Sequence, residues 1–194
     1  MKKLAILALL PLVAAVAGCI RFGAEPPPSL LTLNTQAALP AGAVPGSGTP
    51  VAVVVPSAPQ EIATQRVPVR ATDTSIAYVK DAVWVEPPAR LFARLLSDTL
   101  IARTGRMVVS GRQAFSNPGA TLGGELRSFG IDAAGNQAVV IYDASLIREQ
   151  GGKLEKRRFE ARVPASAIEP GPVGVALNQA ANQVATEVAD WVGR

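Results

Sequence analysis

Residues 76–105, IAYVKDAVWVEPPARLFARLLSDTLIARTG, constrain the fold more than any other stretch. Ile76, Tyr78, Val79, Val83, Trp84 and Val85 make a β-prone run. Glu86-Pro87-Pro88 ends it, because neither proline can donate to a ladder and both fix φ. Pro88 then falls in the first turn of a helix, where proline is tolerated. Leu91, Phe92, Leu95, Leu96, Leu100 and Ile101 recur at helical spacing, with Arg90, Arg94, Asp98 and Arg103 mostly between them. Gly105 supplies the stop. A strand, a sharp corner and a helix with one apolar face need a sheet for that face to cover, so the core is expected here.

The rest of the chain supplies the sheet. Residues 51–55, VAVVV, form a continuous apolar run closed by Pro56, as in a strand buried on both faces. Residues 66–70 are extended, with Pro68 implying an edge or irregular strand. Strands are expected at 107–110, 122–131 and 138–147. A hairpin tip at 148–153, with Gly151 and Gly152, leads into a return strand. In that strand Phe159, Ala161 and Val163 alternate with Arg158, Glu160 and Arg162, the pattern of a sheet with one solvated face. A closing helix over 173–192 carries a stripe of Leu177, Ala181, Val184, Val188 and Trp191. The order predicts an α+β two-layer sandwich, a mixed and mostly antiparallel sheet with two amphipathic helices on one face.

Residues 1–18 read as a targeting segment. Lys2 and Lys3 precede an apolar run too short to span a bilayer comfortably. The run ends in Val16-Ala17-Gly18-Cys19, which resembles the bacterial lipobox. In such proteins the chain is cut between Gly18 and Cys19, and the cysteine is lipidated. It is the only cysteine, so it cannot form an internal disulfide. Residues 19–50 read as a tether, with stiff Pro26-Pro27-Pro28 and an Ala/Gly/Pro-rich stretch. Within it the island 29–33 is either a first edge strand or part of the linker. Residues 51–194 form the folded domain. Where an Asp after the cysteine favours the inner membrane, this chain has Ile20, which favours the outer membrane by the same resemblance.

Composition excludes several chemistries. The chain has no histidine, which removes the usual general base and the commonest metal ligand. No close Asp/Glu cluster suggests a calcium loop. Ser110, Ser145 and Ser166 lack a Gly-x-Ser-x-Gly setting, and the lysines after the signal are Lys80, Lys153 and Lys156. No catalytic residue, cofactor or metal is expected. Of the formal charge of +4, two units belong to Lys2 and Lys3 and leave with the signal, so a nucleic-acid partner is not expected either.

Together these pieces resemble the ABC-type transport auxiliary lipoproteins, the group that includes the paraquat-inducible auxiliary lipoprotein. The carrying residues are the lipobox through Cys19, Leu31-Thr32-Leu33 where the family often has Tyr-x-Leu, and the runs at 51–56 and 66–70. To these add Ile76-Ala77-Tyr78 leading to Trp84-Val85-Glu86-Pro87-Pro88 and its helix, then the later strands and closing helix in the family's order. The resemblance implies an outer-membrane-anchored, non-catalytic lipoprotein facing the periplasm. Its partner would be the MCE-domain protein of an ABC transporter that moves lipid between inner and outer membranes. Self-association into a ring is also compatible with it. The alternative is a lipid-binding carrier or assembly lipoprotein, which would need a sizeable apolar cavity between sheet and helices.

Trp84, Glu86 and Pro87 are read as structural hallmarks. Trp84 would plug the seam between sheet and helix with its indole N–H on a partner. Glu86 would add negative charge near the helix N-terminus. The basic hairpin over 148–158 admits two readings. It is a solvated edge of mixed charge, or Arg157 and Arg158 contact an acidic partner surface or lipid headgroups.

Overall fold

The computed structural model describes residues 29–37, 46, 49–110, 118–148 and 152–193. In chain order these hold β1 (Val51–Val53), β2 (Arg66–Thr72), β3 (Ser75–Val83), α1 (Pro88–Thr104), β4 (Val108–Ser110), β5 (Ala120–Asp132), β6 (Gln137–Ile147), β7 (Leu154–Pro164) and α2 (Pro170–Val192).

The sheet is assembled on β5. One of its edges pairs antiparallel with β6, from Thr121 opposite Ile147 to Asp132 opposite Gln137. β7 then pairs antiparallel with β6. The other edge of β5 is shared: β1 runs parallel to its start, Ser57 bridges Glu125, and β2 runs parallel to its end at Val69–Ile131. β1 and β2 are therefore two pieces of one passage along β5, with residues 58–65 looped out between them. β4 flanks β1 in parallel and β3 flanks β2 antiparallel. The long ladders are antiparallel and the short ones mostly parallel, giving the mixed α+β sheet that the sequence predicts; it is not a closed barrel. Pro68 is accommodated by irregularity, since β2 shifts register against β3 on either side of it.

Both helices cover the same face. Phe92 of α1 meets Tyr142 of β6 edge-on at 5.2 Å, and Trp191 of α2 meets Phe159 of β7 at 5.6 Å. Tyr142 and Phe159 are direct neighbours in the β6–β7 ladder. The interior between the layers is packed with Leu91, Leu95, Leu96, Leu100, Leu122, Leu126, Leu146 and Leu177, all buried. Each such side chain contributes about 1.5–3 kcal/mol when it leaves water. The buried Tyr142 phenol donates to the Gly123 carbonyl, and burial pushes its pKa up. α1 begins with Pro88 in its first turn and ends where Gly105 takes φ 66°, its N–H returning to the Ile101 carbonyl. α2 starts at Pro170, earlier than the spacing predicts, because Pro170 and Pro172 both suit a first helical turn.

Two expectations change. Residues 51–55 were read as one buried strand, but only Val51–Val53 is strand; Val54 and Val55 are exposed. Val54 still donates its N–H to the Leu122 carbonyl of β5, but its side chain and that of Val55 stay at the surface. The Trp84 side chain is fully buried and packs edge-on against Phe129 at 5.5 Å, yet its indole N–H has no acceptor among the described residues. An orphaned donor costs about 1–3 kcal/mol, which burial of the large ring offsets. Glu86 stands just before the helix N-terminus. Pro87 is the N-cap residue and no side chain bonds the first turn; the Glu86 carboxylate is paired with Arg94 two turns along α1.

The island 29–33 contributes one bridge, and residues 29–37 lie along the helix layer. Leu31 donates to the Val83 carbonyl and accepts from Val85, forming a parallel bridge with Trp84. Gly174 lets this segment approach, since a Cβ there would stand 2.9 Å from Leu31 Cδ2. Further along, the Asn34 N–H donates to Asn178 Oδ1 and the Gln36 N–H to Asn182 Oδ1, at 2.9 and 2.8 Å. Asn182 Nδ2 returns a bond to the Asn34 carbonyl. Two asparagines one helical turn apart thus hold an extended backbone against α2.

Candidate functional site

Where β3 gives way to α1, four segments meet. Gln65 accepts from the Trp84 N–H at 2.7 Å through its backbone carbonyl, while its side-chain amide donates to the carbonyls of Trp84 and Val85. Leu31 closes the other side of the same corner. These bonds occupy the backbone groups that the two prolines leave without ladder partners. They also present Val85 and Glu86 at the surface, beside the first turns of α1.

A groove of about 640 Å³ opens there. Val53, Val54 and Val55 line it from β1 and the residues after it; Arg90, Ala93, Arg94 and Ser97 line it from α1, joined by Glu86 and by Ser110 of β4. Arg94 is neutralised by Glu86. Arg90 makes no ion pair among the described residues. The groove lies outside the sheet–helix interior, which is filled by side chains. Its volume is within the range of small-ligand clefts, but it is an open trough.

The basic hairpin behaves differently from a single patch. Strand alternation sends Arg157 and Arg158 to opposite faces of the sheet. Arg157 lies over the Phe159 ring at 5.0 Å on the helix side. Arg158 lies on the open side and makes a forked pair with Asp143 at 2.6 and 2.8 Å. The Arg158 hydrogen bond holds the Asp143 carboxyl below the usual carboxylate range, with Arg127 and Lys156 adding to the effect. Arg162 pairs with Glu160 and Asp132 on the same open face. Arg148, expected at a solvated tip, instead donates to the Trp191 and Val192 carbonyls at the end of α2 while paired with Glu155. Gly18 and Cys19 lie outside the described residues.

Among the described residues no group of three or more metal-ligating side chains assembles. No described helix is long and apolar enough to cross a membrane.

A family model for the ABC-type transport auxiliary lipoprotein component matches residues 31–189. The chain belongs to that family. Auxiliary lipoproteins of this type are components of ABC transport, and the match begins at Leu31, the residue that bridges Trp84. No curated protein is matched in sequence. Among solved structures, protein XCC0632 of Xanthomonas campestris, a DUF330 protein, is similar with a TM-score of 0.69 and 22% identity over 84% of this chain and 92% of its own. An uncharacterized protein is similar with a TM-score of 0.66 and 17% identity over 83% of this chain and 95% of its own. At these identities they show a shared fold.

Trp84, Glu86 and Pro87 all sit at the corner that Leu31 and Gln65 bind. The groove beside them was not foreseen, because its walls come from residues 53–55 and 86–97, which no local pattern joins. The one available signal was two valines beyond the buried part of the VAVVV run.

Proposed function

We propose that this auxiliary lipoprotein is cut after Gly18, acylated on Cys19 and anchored in the outer membrane, facing the periplasm. There it serves as a non-catalytic part of an MCE-domain ABC transporter that moves lipid between the two membranes. Residues 1–18 are the signal, 19–50 the tether in sequence terms, and 51–194 the domain, onto which part of the tether folds. The observation that carries this reading is the family match together with a sole cysteine placed directly after a signal-like segment. Two acyl signals or more are needed for a lasting anchor, and the three chains usual for bacterial lipoproteins would supply them.

The filled interior favours a docking part over an enclosed lipid carrier. Self-association into a ring is compatible with β3, β4 and β7 being the outermost strands of the sheet among the described residues. The test is twofold. Mass spectrometry of membrane-extracted protein should give an N-terminal acylated Cys19, and a tagged chain should capture an MCE-domain protein from solubilised envelope. A free, uncut chain or a clean absence of that protein would overturn the reading. Reversing Arg157 and Arg158 together tests the hairpin as the contact: reduced capture with unchanged anchoring is expected, and unchanged capture moves the contact elsewhere.

A further inference from the structure

We infer that the end of the domain bearing the Val54–Val55 groove is seated on the bilayer that holds the anchor. Leu30, Val54, Val55 and Val85 enter the interfacial layer, and Arg90 meets lipid phosphate. This rests on acylation of Cys19 and goes beyond it, since an anchored domain can equally hang free of its membrane.

The first support is where the chain leaves the domain. Leu31 is fixed to Val83 and Val85, so the segment leading back to Cys19 departs from the corner at the start of α1. Residues 19–29 reach at most about 35 Å when fully extended. The opposite end of the domain lies a full helix away, since α1 has 17 residues and spans about 25 Å. The corner is thus the end nearest the membrane for most paths the tether can take.

The second support is what that end exposes. Leu30 is 51% exposed, Val54 42%, Val55 51% and Val85 46%. Leu30 precedes the residue that bonds Val85; Glu86, the next residue, lines the groove with Val54 and Val55. Aliphatic side chains this exposed suit an interface where one side is apolar.

The third support is charge. Arg94 is paired with Glu86, while the Arg90 guanidinium at the groove has no ion-pair partner among the described residues. Such a group fits a phosphate oxygen pair, and an apolar wall beside it fits the adjoining acyl region. A tether this short holds the surface at an effective concentration on the order of mM, so modest intrinsic affinity suffices.

The test uses full-length, acylated protein in vesicles of phosphatidylethanolamine and phosphatidylglycerol. An environment-sensitive fluorophore is attached at Val55→Cys or, as control, at Met107→Cys beyond the far end of α1. Acylated Cys19 does not compete for the label. Flotation reads the anchor; iodide reads access from water; lipids carrying a spin label near the headgroup read contact with the bilayer. The expected result is flotation of both proteins, with blue-shifted emission, several-fold weaker iodide quenching and strong lipid-phase quenching at position 55 alone. Adding Val54→Glu and Arg90→Glu should abolish the difference while flotation persists. Flotation with equal iodide access at both positions overturns the seat and leaves the anchor standing. Shielding from iodide without lipid-phase quenching means a second copy or the groove itself covers the label, and also overturns it. Failure to float removes the anchor and the seat together.

Discussion

On the helix side of the β6–β7 ladder, Tyr142 lies beside Phe159, and each meets a ring from a helix. One residue along, on the open side, Asp143 lies beside Arg158 in a forked ion pair. The same two strands therefore carry both kinds of pairing, one step apart. The rings are buried in a packed interior, so each atom removed leaves a gap. Before the ion pairs there is solvent, which takes over whenever a partner is removed. Contacts of similar appearance should thus differ several-fold in what they contribute.

The largest effect is expected at Phe92→Ala, which empties the space between α1 and Tyr142. A loss of about 3–5 kcal/mol is expected in urea unfolding. If it costs no more than the open-face variant below, the contrast between the faces is wrong. Next comes Asn182→Ala. Asn182 is a buried polar residue that bonds the backbone of Gln36, Asn34 and Asn178. Its loss should cost about 1–3 kcal/mol and should speed proteolysis within residues 29–37 relative to the domain. Uniform proteolysis of both would show that this segment is not held by the asparagines.

Trp84→Phe sharpens the meaning of the packed face. It removes ring volume and also an indole N–H that has no acceptor, so the two effects oppose and the net loss should be about 1 kcal/mol. A much larger loss would reveal a partner for that N–H. The smallest effect is expected at Asp143→Asn, no more than about 1 kcal/mol at neutral pH and less in high salt. Its pH dependence has a definite sign. The folded carboxyl titrates lower than the unfolded one, so its contribution is complete above the unfolded value of about 3.9 and fades as pH falls through the folded value. The wild-type advantage over Asp143→Asn should therefore be present at neutral pH and vanish in strong acid. An advantage that grew on acidification would reverse the assignment.

The parts legible in the sequence were those governed by local periodicity. The Pro87-Pro88 corner, the stop at Gly105 and the alternation in β7 each follow from residues a few positions apart. What could not be read depends on residues brought together from afar. The VAVVV run announces a buried strand but not that β1 lies parallel to both β4 and β5. Nor does it show that Val54 and Val55, just past the strand, line a groove. Asn178 and Asn182 break the apolar stripe of α2 at helical spacing, a signal that polar side chains have a buried task, but not that the task is a backbone from 34 to 36. Arg148 looked like one more charge on a hairpin. Its real partners are two carbonyls at the end of α2, which no spacing in the chain connects to it.

The segment at 29–37 has a mechanical consequence. It runs in the same direction as α2, with Leu31 near Gly174 and Gln36 near Asn182, and among the described residues Leu31 is its earliest bonded contact. A tug transmitted from upstream would load the backbone bonds to Val83 and Val85 first. The asparagine contacts behind them would feel the strain only after those give way. The domain should resist being dragged by its N-terminus through a sequence of small ruptures, first at the end of β3 and then along α2, each releasing a few residues of slack.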